Sequence, residues 1–272
     1  MPKIPSYTLV DEGSDRLWAD FAKMVRDLEW TSTDNTVLWA APQLKSTRCV
    51  FARKDDDGSM LGCCVWNEYD GMAWIGFYMT LPSLQGAGLG SKIWKRAMER
   101  IRERKQVIGL RAVSAMREKY AAGATPVEVS RIKKHLLTID QMKEFIARYE
   151  HPGRCLELYY EMHDDQREDL LRFDREVTGT ERSEWLCKLF SSEESEVAVL
   201  FDDDGKVCAV LGHLNSGTSR AELVQDRTVL RLLRRRIRRN GQVAGAVGGE
   251  VPARRPYHCG HSDWKRGRAG TG

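Results

Sequence analysis

Chemistry concentrates where LPSLQGAGLG runs into SKIWKRAMERIRER, residues 81 to 104. A strand there feeds a glycine-rich turn that opens directly into a helix. Gly86, Gly88 and Gly90 let the backbone curl free of Cβ clashes, so the loop amides and the unpaired first-turn amides of the helix converge on an anion. A diphosphate fits such a cradle. The order of residues excludes two other phosphate loops. A dinucleotide-binding turn reads GxGxxG after the first strand of a βαβ unit, and a Walker loop needs Gly-Lys-Ser/Thr where this chain has Gly90-Ser91-Lys92.

The elements that must hold this loop are readable on either side of it. A short strand spans Tyr7 to Val10, and Ser14 is placed to cap a helix whose Leu17, Phe21, Met24, Val25 and Leu28 form one apolar stripe. A polar loop through Trp30 and a short helix after Thr33 follow. Then comes a β-meander: CVFARK, the turn Asp55-Asp56-Asp57-Gly58, MLGCCVWNEY, the turn Asp70-Gly71, and MAWIGFYMT. Gly76 inside the last strand marks a bulge or a close backbone approach. Beyond the glycine loop, Leu89, Ile93, Ala97 and Ile101 recur at helical spacing. The sequence predicts a strand over 106–113, a short helix over Ala115–Ala122 and a final strand over Pro126–Leu136.

Gln85-Gly86-Ala87-Gly88-Leu89-Gly90, preceded by a strand and Pro82, resembles the Q/R-x-x-G-x-G/A signature of the GCN5-related N-acetyltransferases (GNAT). The likeness covers roughly residues 1–137. WNEYDGMAWIGFYMTLPSLQGAGLGSKIWKRAM and IGLRAVSAMREKYAAGA look like the YitH-like acetyltransferases, which carry a degenerate second copy. The resemblance implies an α+β, three-layer acyl-CoA N-acyltransferase fold with a mixed, mostly antiparallel sheet flanked by helices. It implies acetyl-CoA as co-substrate, an amine acceptor that is a small molecule or peptide, and no metal. Gln85, Gly86, Ala87, Gly88, Leu89 and Gly90 would hold the diphosphate, and Met79, Thr80 and Leu81 the pantetheine arm, with an oxyanion donor at the level of Gly76.

Tyr120 falls where relatives place a general acid, although KYAAGA replaces a longer segment there, and it reads equally as a core tyrosine. Glu68, opposite Ala73 in the hairpin, is a candidate base or a solubilising edge charge. Trp30 and Asp34 lie where the family binds its acceptor; Trp30 reads equally as a core plug. A non-catalytic acyl-CoA-binding module is the rival reading.

Downstream, VAVLFDDDGKVCAVLGHLN repeats the strand, triple-Asp-Gly turn and strand of CVFARKDDDGSMLGCCVWN. Such turns also arise by chance. DREVTGTERSEWL resembles the second half of the YitH-like proteins, but no second glycine loop follows. The expected organisation is an acetyltransferase domain over 1–137, a connector over 138–152, a partial or degenerate second copy over 153–225 and a basic Arg/Gly-rich tail over 226–272, read as disordered. The chain has 272 residues, 42% of them hydrophobic, and a net charge of +4. The tail raises nucleic-acid binding only as a weak alternative.

His258, Cys259 and His261 lack a fourth metal partner at finger spacing. The seven cysteines are expected as free thiols, with Cys63 and Cys64 on opposite faces of one strand. No run approaches the length of a bilayer span and MPKIPSYTLVDEG lacks a signal-peptide core, which together suggest a cytoplasmic or nuclear protein without a membrane partner. Oligomeric state is not encoded in these features.

Overall fold

The computed structural model describes residues 2–28, 41–104, 106–131, 140–141, 144, 155–192 and 195–214. Expectations for Trp30, Asp34, the helix after Thr33, nearly all of the connector, His258, Cys259, His261 and the basic tail lie outside these residues. The first half forms a five-stranded sheet in the order β1-β2-β3-β4-β5: β1 (Tyr7–Val10), β2 (Thr47–Lys54), β3 (Met60–Tyr69), β4 (Met72–Thr80) and β5 (Val107–Leu110). The first three pairings are antiparallel and only β4 with β5 is parallel. Both Asp-Gly turns fall between the strands expected, and Gly58 and Gly71 adopt φ of 73° and 72°. That left-handed geometry explains why glycine stands at each hairpin.

Helices cover both faces. α1 (Asp15–Asp27) begins at Ser14, whose side chain accepts from the Leu17 amide, and buries Leu17, Phe21, Met24 and Val25. Phe21 is fully buried and meets Trp18, Phe51 and Phe77 edge to face at 5.1–6.5 Å. α2 (Leu89–Glu103) buries Leu89, Ile93, Ala97, Met98 and Ile101 against the other face. The sheet therefore separates two cores, one with Val50, Cys64, Trp66 and Ile75 under α2, the other with Cys49, Cys63, Val65 and Met79 under α1. Cys63 and Cys64 fall on opposite sides, as strand alternation requires.

Three expectations change here. The strand expected over 106–113 is only Val107–Leu110, and the helix expected over Ala115–Ala122 is a 3₁₀ turn, Ser114–Met116, leading into α3 (Arg117–Ala121). Of the final strand expected over Pro126–Leu136, the described part to Arg131 is irregular. Val127 and Val129 are 74% and 91% exposed, and Glu128 is drawn to Arg117 and Arg131 at 2.5 Å. Apolar alternation forms a strand only where a neighbour completes its ladder, and none of the described strands pairs there.

The second half repeats the plan in a smaller sheet, β6-β7-β8: β6 (Cys155–Leu158), β7 (Ser195–Phe201) and β8 (Val207–Leu214). Strand, helix, helix and hairpin follow in order, with α4 (Asp164–Thr178) and α5 (Ser183–Phe190) between β6 and β7. β6 pairs antiparallel with β7 up to the residue before the Asp202–Gly205 turn, as β1 does with β2 up to the residue before Asp55. Gly205 takes a φ of 75°, matching Gly58. Leu170, Val197, Val199 and Phe201 make a separate small core. α5 touches the first half through Glu184, which accepts from the Lys45 amide at 3.0 Å, and Lys188, which donates to Gln43 at 3.2 Å.

Replacing Phe21 with alanine removes the aromatic hub under the sheet and is expected to cost about 3–5 kcal/mol in urea denaturation of the whole chain.

Candidate active site

A single irregularity in β4 organises the site. Val65 pairs with Phe77 but Trp66 pairs with Ile75, so Gly76 is an extra residue without a partner on β3. One inserted residue reverses the alternation of every side chain after it. Ala73 and Ile75 accordingly pack under α2, while Phe77 and Met79 pack under α1, and Tyr78 turns to the α2 side. The parallel pairing of β4 with β5 ends one residue before the bulge, at Ile75 with Leu110. Beyond that point the two strands part.

A cleft of about 580 Å³ opens at this parting. It is lined by Ile75, Gly76, Tyr78, Met79 and Thr80 of β4, by Gln85, Gly86, Gly88, Gly90 and Ser91 of the loop and α2, and by Tyr120 of α3. The Leu81 amide donates to Leu61 on the β3 side at 3.0 Å. Backbone polarity alternates along a strand, so Tyr78 and Thr80 turn their N–H and C=O groups toward the open side. That edge is a ready partner for an extended amide-bearing chain.

The glycine loop is held from below and open above. Leu84 and Leu89 on its two flanks are buried in the core under α2. Gly86 and Gly88 have φ of 78° and 89°, and nothing lies within 4 Å of where their Cβ atoms would be. Gly90 is required for another reason: its Cβ would fall 2.7 Å from the Tyr78 hydroxyl. The first i to i−4 bond of α2 is from the Lys92 amide to the Gly88 carbonyl, leaving the preceding first-turn amides without intrahelical acceptors. Within the loop, Gln85 and Ala87 donate their amides to Pro82 and Leu84 at 3.2 Å each, so the amides of Gly86, Gly88, Leu89 and Gly90, rather than all six, suit a bound diphosphate. Arg111 and Lys119 also line the cleft, and among the described residues no Asp or Glu does. An anion meets only favourable charge there.

The catalytic candidates separate. Tyr120 lines the cleft, with its ring 5.3 Å from Trp94, and burial raises its phenol above the ordinary value of 10.0. Glu68 does face Ala73 across the hairpin as expected, but it is not among the residues lining the cleft. Its carboxylate is 7% exposed and clamped by Arg48 at 3.1 Å and Arg104 at 2.8 Å, with the Trp66 indole donating at 3.3 Å. Glu68 shares the Trp66 face of β3, and the two arginines, one of them just past the far end of α2, hold its carboxylate there. Met79, Thr80, Gln85, Gly86, Gly88 and Gly90 line the cleft together; Ala87 and Leu89 belong to the same loop, and Leu81 packs against both cores.

Sequence reasoning does not single out Tyr78, although its proximity to the loop can be read once the bulge is allowed for. Burial, followed by Tyr120 and Cys64, pushes its phenol up to about 12. Among the described residues no group of three potential metal ligands comes together, and no helix is long and apolar enough to cross a membrane.

Residues 14–121 match the sequence model of the Acetyltransferase (GNAT) family. These residues form a GNAT-family domain. A tandem GNAT protein from the clavulanic acid biosynthesis pathway superposes with a TM-score of 0.54 at 13% identity, over 78% of this chain and 76% of that one. A Pyrococcus horikoshii acetyltransferase, itself assigned only provisionally, gives 0.50 at 14% identity over 74% and 69%. These likenesses show the fold. An uncharacterized Caenorhabditis elegans protein is 32% identical over 207 residues, 75% of this chain. The chain spans 65% of the length of that relative. The GNAT domain thus carries the bulged strand, glycine loop and open cleft, and the second sheet extends the likeness to a tandem protein.

Substituting Glu68 with glutamine keeps an acceptor for the Trp66 indole but leaves two arginines without their carboxylate. A loss of about 1–2 kcal/mol in chemical denaturation is expected, with calorimetric affinity for coenzyme A unchanged.

Proposed function

We propose that this chain is an acetyl-CoA-dependent N-acetyltransferase that passes the acetyl group to a primary amine by direct attack in a ternary complex. The observation that carries this reading is the joining, in one cleft, of an open strand edge with a glycine loop at a helix N-terminus. The loop amides suit the diphosphate, and the open side of Tyr78 and Thr80 suits the amides of the pantetheine arm. The bulge at Gly76 lies beside the point where the thioester would sit, so a backbone amide freed from the ladder there would stabilise the developing oxyanion.

In the transfer the amine nitrogen forms a bond to the acetyl carbon and the carbon–sulfur bond breaks. The amine gives up a proton and the departing thiolate gains one. Tyr120 suits protonation of the thiolate, because its phenol, raised by burial, keeps its proton throughout the neutral range. For deprotonation of the amine, Glu68 lies outside the cleft. An α-amine with a pKa near ~8 has about a tenth of its molecules free at pH 7, whereas a lysine near ~10.4 has fewer than one in a thousand. Acceptors with weakly basic amines therefore fit a cleft without a described carboxylate. Trp30 and Asp34 remain the proposed acceptor contacts.

We assign the chemistry to residues 1–137 and an auxiliary role to the partial copy over 153–225, in the manner of the YitH-like acetyltransferases. The absence of acids among the described lining residues equally favours the rival, a module that binds acyl-CoA without turnover. Calorimetry with acetyl-CoA alongside a steady-state assay over a panel of amines separates the two, because binding without turnover supports the rival.

Gly88→Glu places a charge and a side chain on a residue with φ of 89° in the cradle, and acetyl-CoA binding should fall below detection by calorimetry. Tyr120→Phe should leave acetyl-CoA affinity unchanged and lower kcat by about 10²-fold or more. Because the folded protein holds the Tyr120 phenol above its ordinary 10.0, the proton donor is present at lower pH and lost only as pH rises past 10. A pH profile of kcat should show no Tyr120-dependent fall below that point.

A further inference from the structure

We infer that the Tyr78 hydroxyl is a side-chain donor of the anion cradle, completing with the loop amides the binding of the donor's diphosphate. The inference rests on the acetyl-CoA reading of the cleft and adds to it a residue outside the glycine signature.

Three features converge on this hydroxyl. First, the Gly76 bulge reverses the alternation of β4 and turns Tyr78 to the α2 side, where it joins the core cluster under that helix. Second, its oxygen fills the space that a side chain at residue 90 would need. The ideal Cβ there is 2.7 Å from Oη and 3.5 Å from Cζ, so the phenol reaches the first turn of α2 by its tip. Third, the ring is fixed: its centroid lies 5.1 Å from Trp94, which in turn lies 5.3 Å from Tyr120. Rotation away from the loop would break this stack.

The hydroxyl has no hydrogen-bond partner among the described residues, yet its residue lines the cleft together with Gln85, Gly86, Gly88, Gly90 and Ser91. A half-buried hydroxyl with no protein acceptor has its donor free for a ligand that enters the cleft. Burial also keeps it protonated across the physiological range, so it can only donate to an anion there. Gly90 and Tyr78 are thus a matched pair. The glycine is needed to admit the phenol, and the phenol supplies a donor that backbone geometry alone does not provide.

The test uses the full chain with Tyr78→Phe, which keeps the ring against Trp94 and removes only the oxygen. Calorimetric Kd for coenzyme A should rise about tenfold, the inhibition constant of inorganic pyrophosphate against coenzyme A should rise similarly, and the thermal midpoint should hold. Unchanged coenzyme A affinity, or weakened coenzyme A binding with unchanged pyrophosphate inhibition, would overturn the assignment. Gly90→Ala alone should lower both the thermal midpoint and coenzyme A affinity. Adding Tyr78→Phe to it should restore the midpoint, since the contact relaxes to 3.5 Å, while affinity stays at or below the level of Tyr78→Phe alone. Recovery of full affinity in the double variant would show that Tyr78 only packs. If the unsubstituted chain binds no coenzyme A, the acetyl-CoA reading and this inference fall together; if it binds and Tyr78→Phe binds as well, only this inference falls.

Discussion

One unpaired residue in β4 governs the rest of the site. Without Gly76 opposite the Val65–Trp66 step, the strand would keep one alternation along its length, and Tyr78 would face α1 instead of α2. Phe77 and Met79 would then lose their places in the core beneath α1, where Phe77 meets Phe21 at 5.1 Å. The bulge therefore lets one strand serve two different packing demands, and both cores depend on it. It also coincides with the end of β4–β5 pairing, so the residue that re-aims the side chains lies where the backbone edge becomes available to a ligand.

The glycine loop depends on that geometry. Leu84 and Leu89 anchor its flanks in the core under α2, and glycines at positive φ keep its upper surface free of side chains. Gly62 permits a similarly close approach from below: its Cβ would meet the Met79 carbonyl at 2.8 Å and Ile93 at 3.0 Å. Small residues thus bring β3, β4 and the N-terminal turn of α2 together. Midway along α2, Asp11 accepts from both Nε and Nη2 of Arg96, at 3.1 and 2.6 Å, tying the helix to the end of β1. These contacts are at least partly exposed and are better regarded as orienting the helix than as stabilising it strongly.

Much of this was legible because local chemistry and tertiary demand agree. Asp-Gly turns require left-handed glycine, Ser14 has a helix amide to cap, and the α1 and α2 stripes match the faces that are buried. Gly76 was legible as a bulge or a close backbone approach, and the structure shows the bulge, whereas Gly62 serves close approach. The consequences of the bulge were harder to read. Strict alternation assigns the wrong face to Tyr78, and it is the observed ion pairs, not strand register, that take Glu68 out of the cleft. The strand expected after Pro126 had the right composition, but composition does not supply a neighbouring strand. Trp30 and Asp34 lie outside the described residues, so their pairing with the cleft rests on the resemblance.

The second sheet shows which part of the plan makes the site. It shares with the described first half a strand followed by a helix and then a hairpin, the antiparallel pairing of its first strand and the Asp-rich turn with a left-handed glycine. Its hairpin even carries an irregularity beside the turn, between Leu200 and Phe201, close to the counterpart of the one between Ala52 and Arg53. Among the described residues, however, β8 has no counterpart of β4 on its far side and no glycine loop follows. The first three strands and their helices can therefore close a small core of their own, as Leu170, Val197, Val199 and Phe201 do. A ligand edge needs more: a fourth strand that begins in a ladder and then leaves it. In the first half the Asp70-Gly71 turn supplies that strand, Gly76 sets where it departs, and α2 receives it. The meander accounts for the fold, and the departure of β4 from β5 accounts for the cleft.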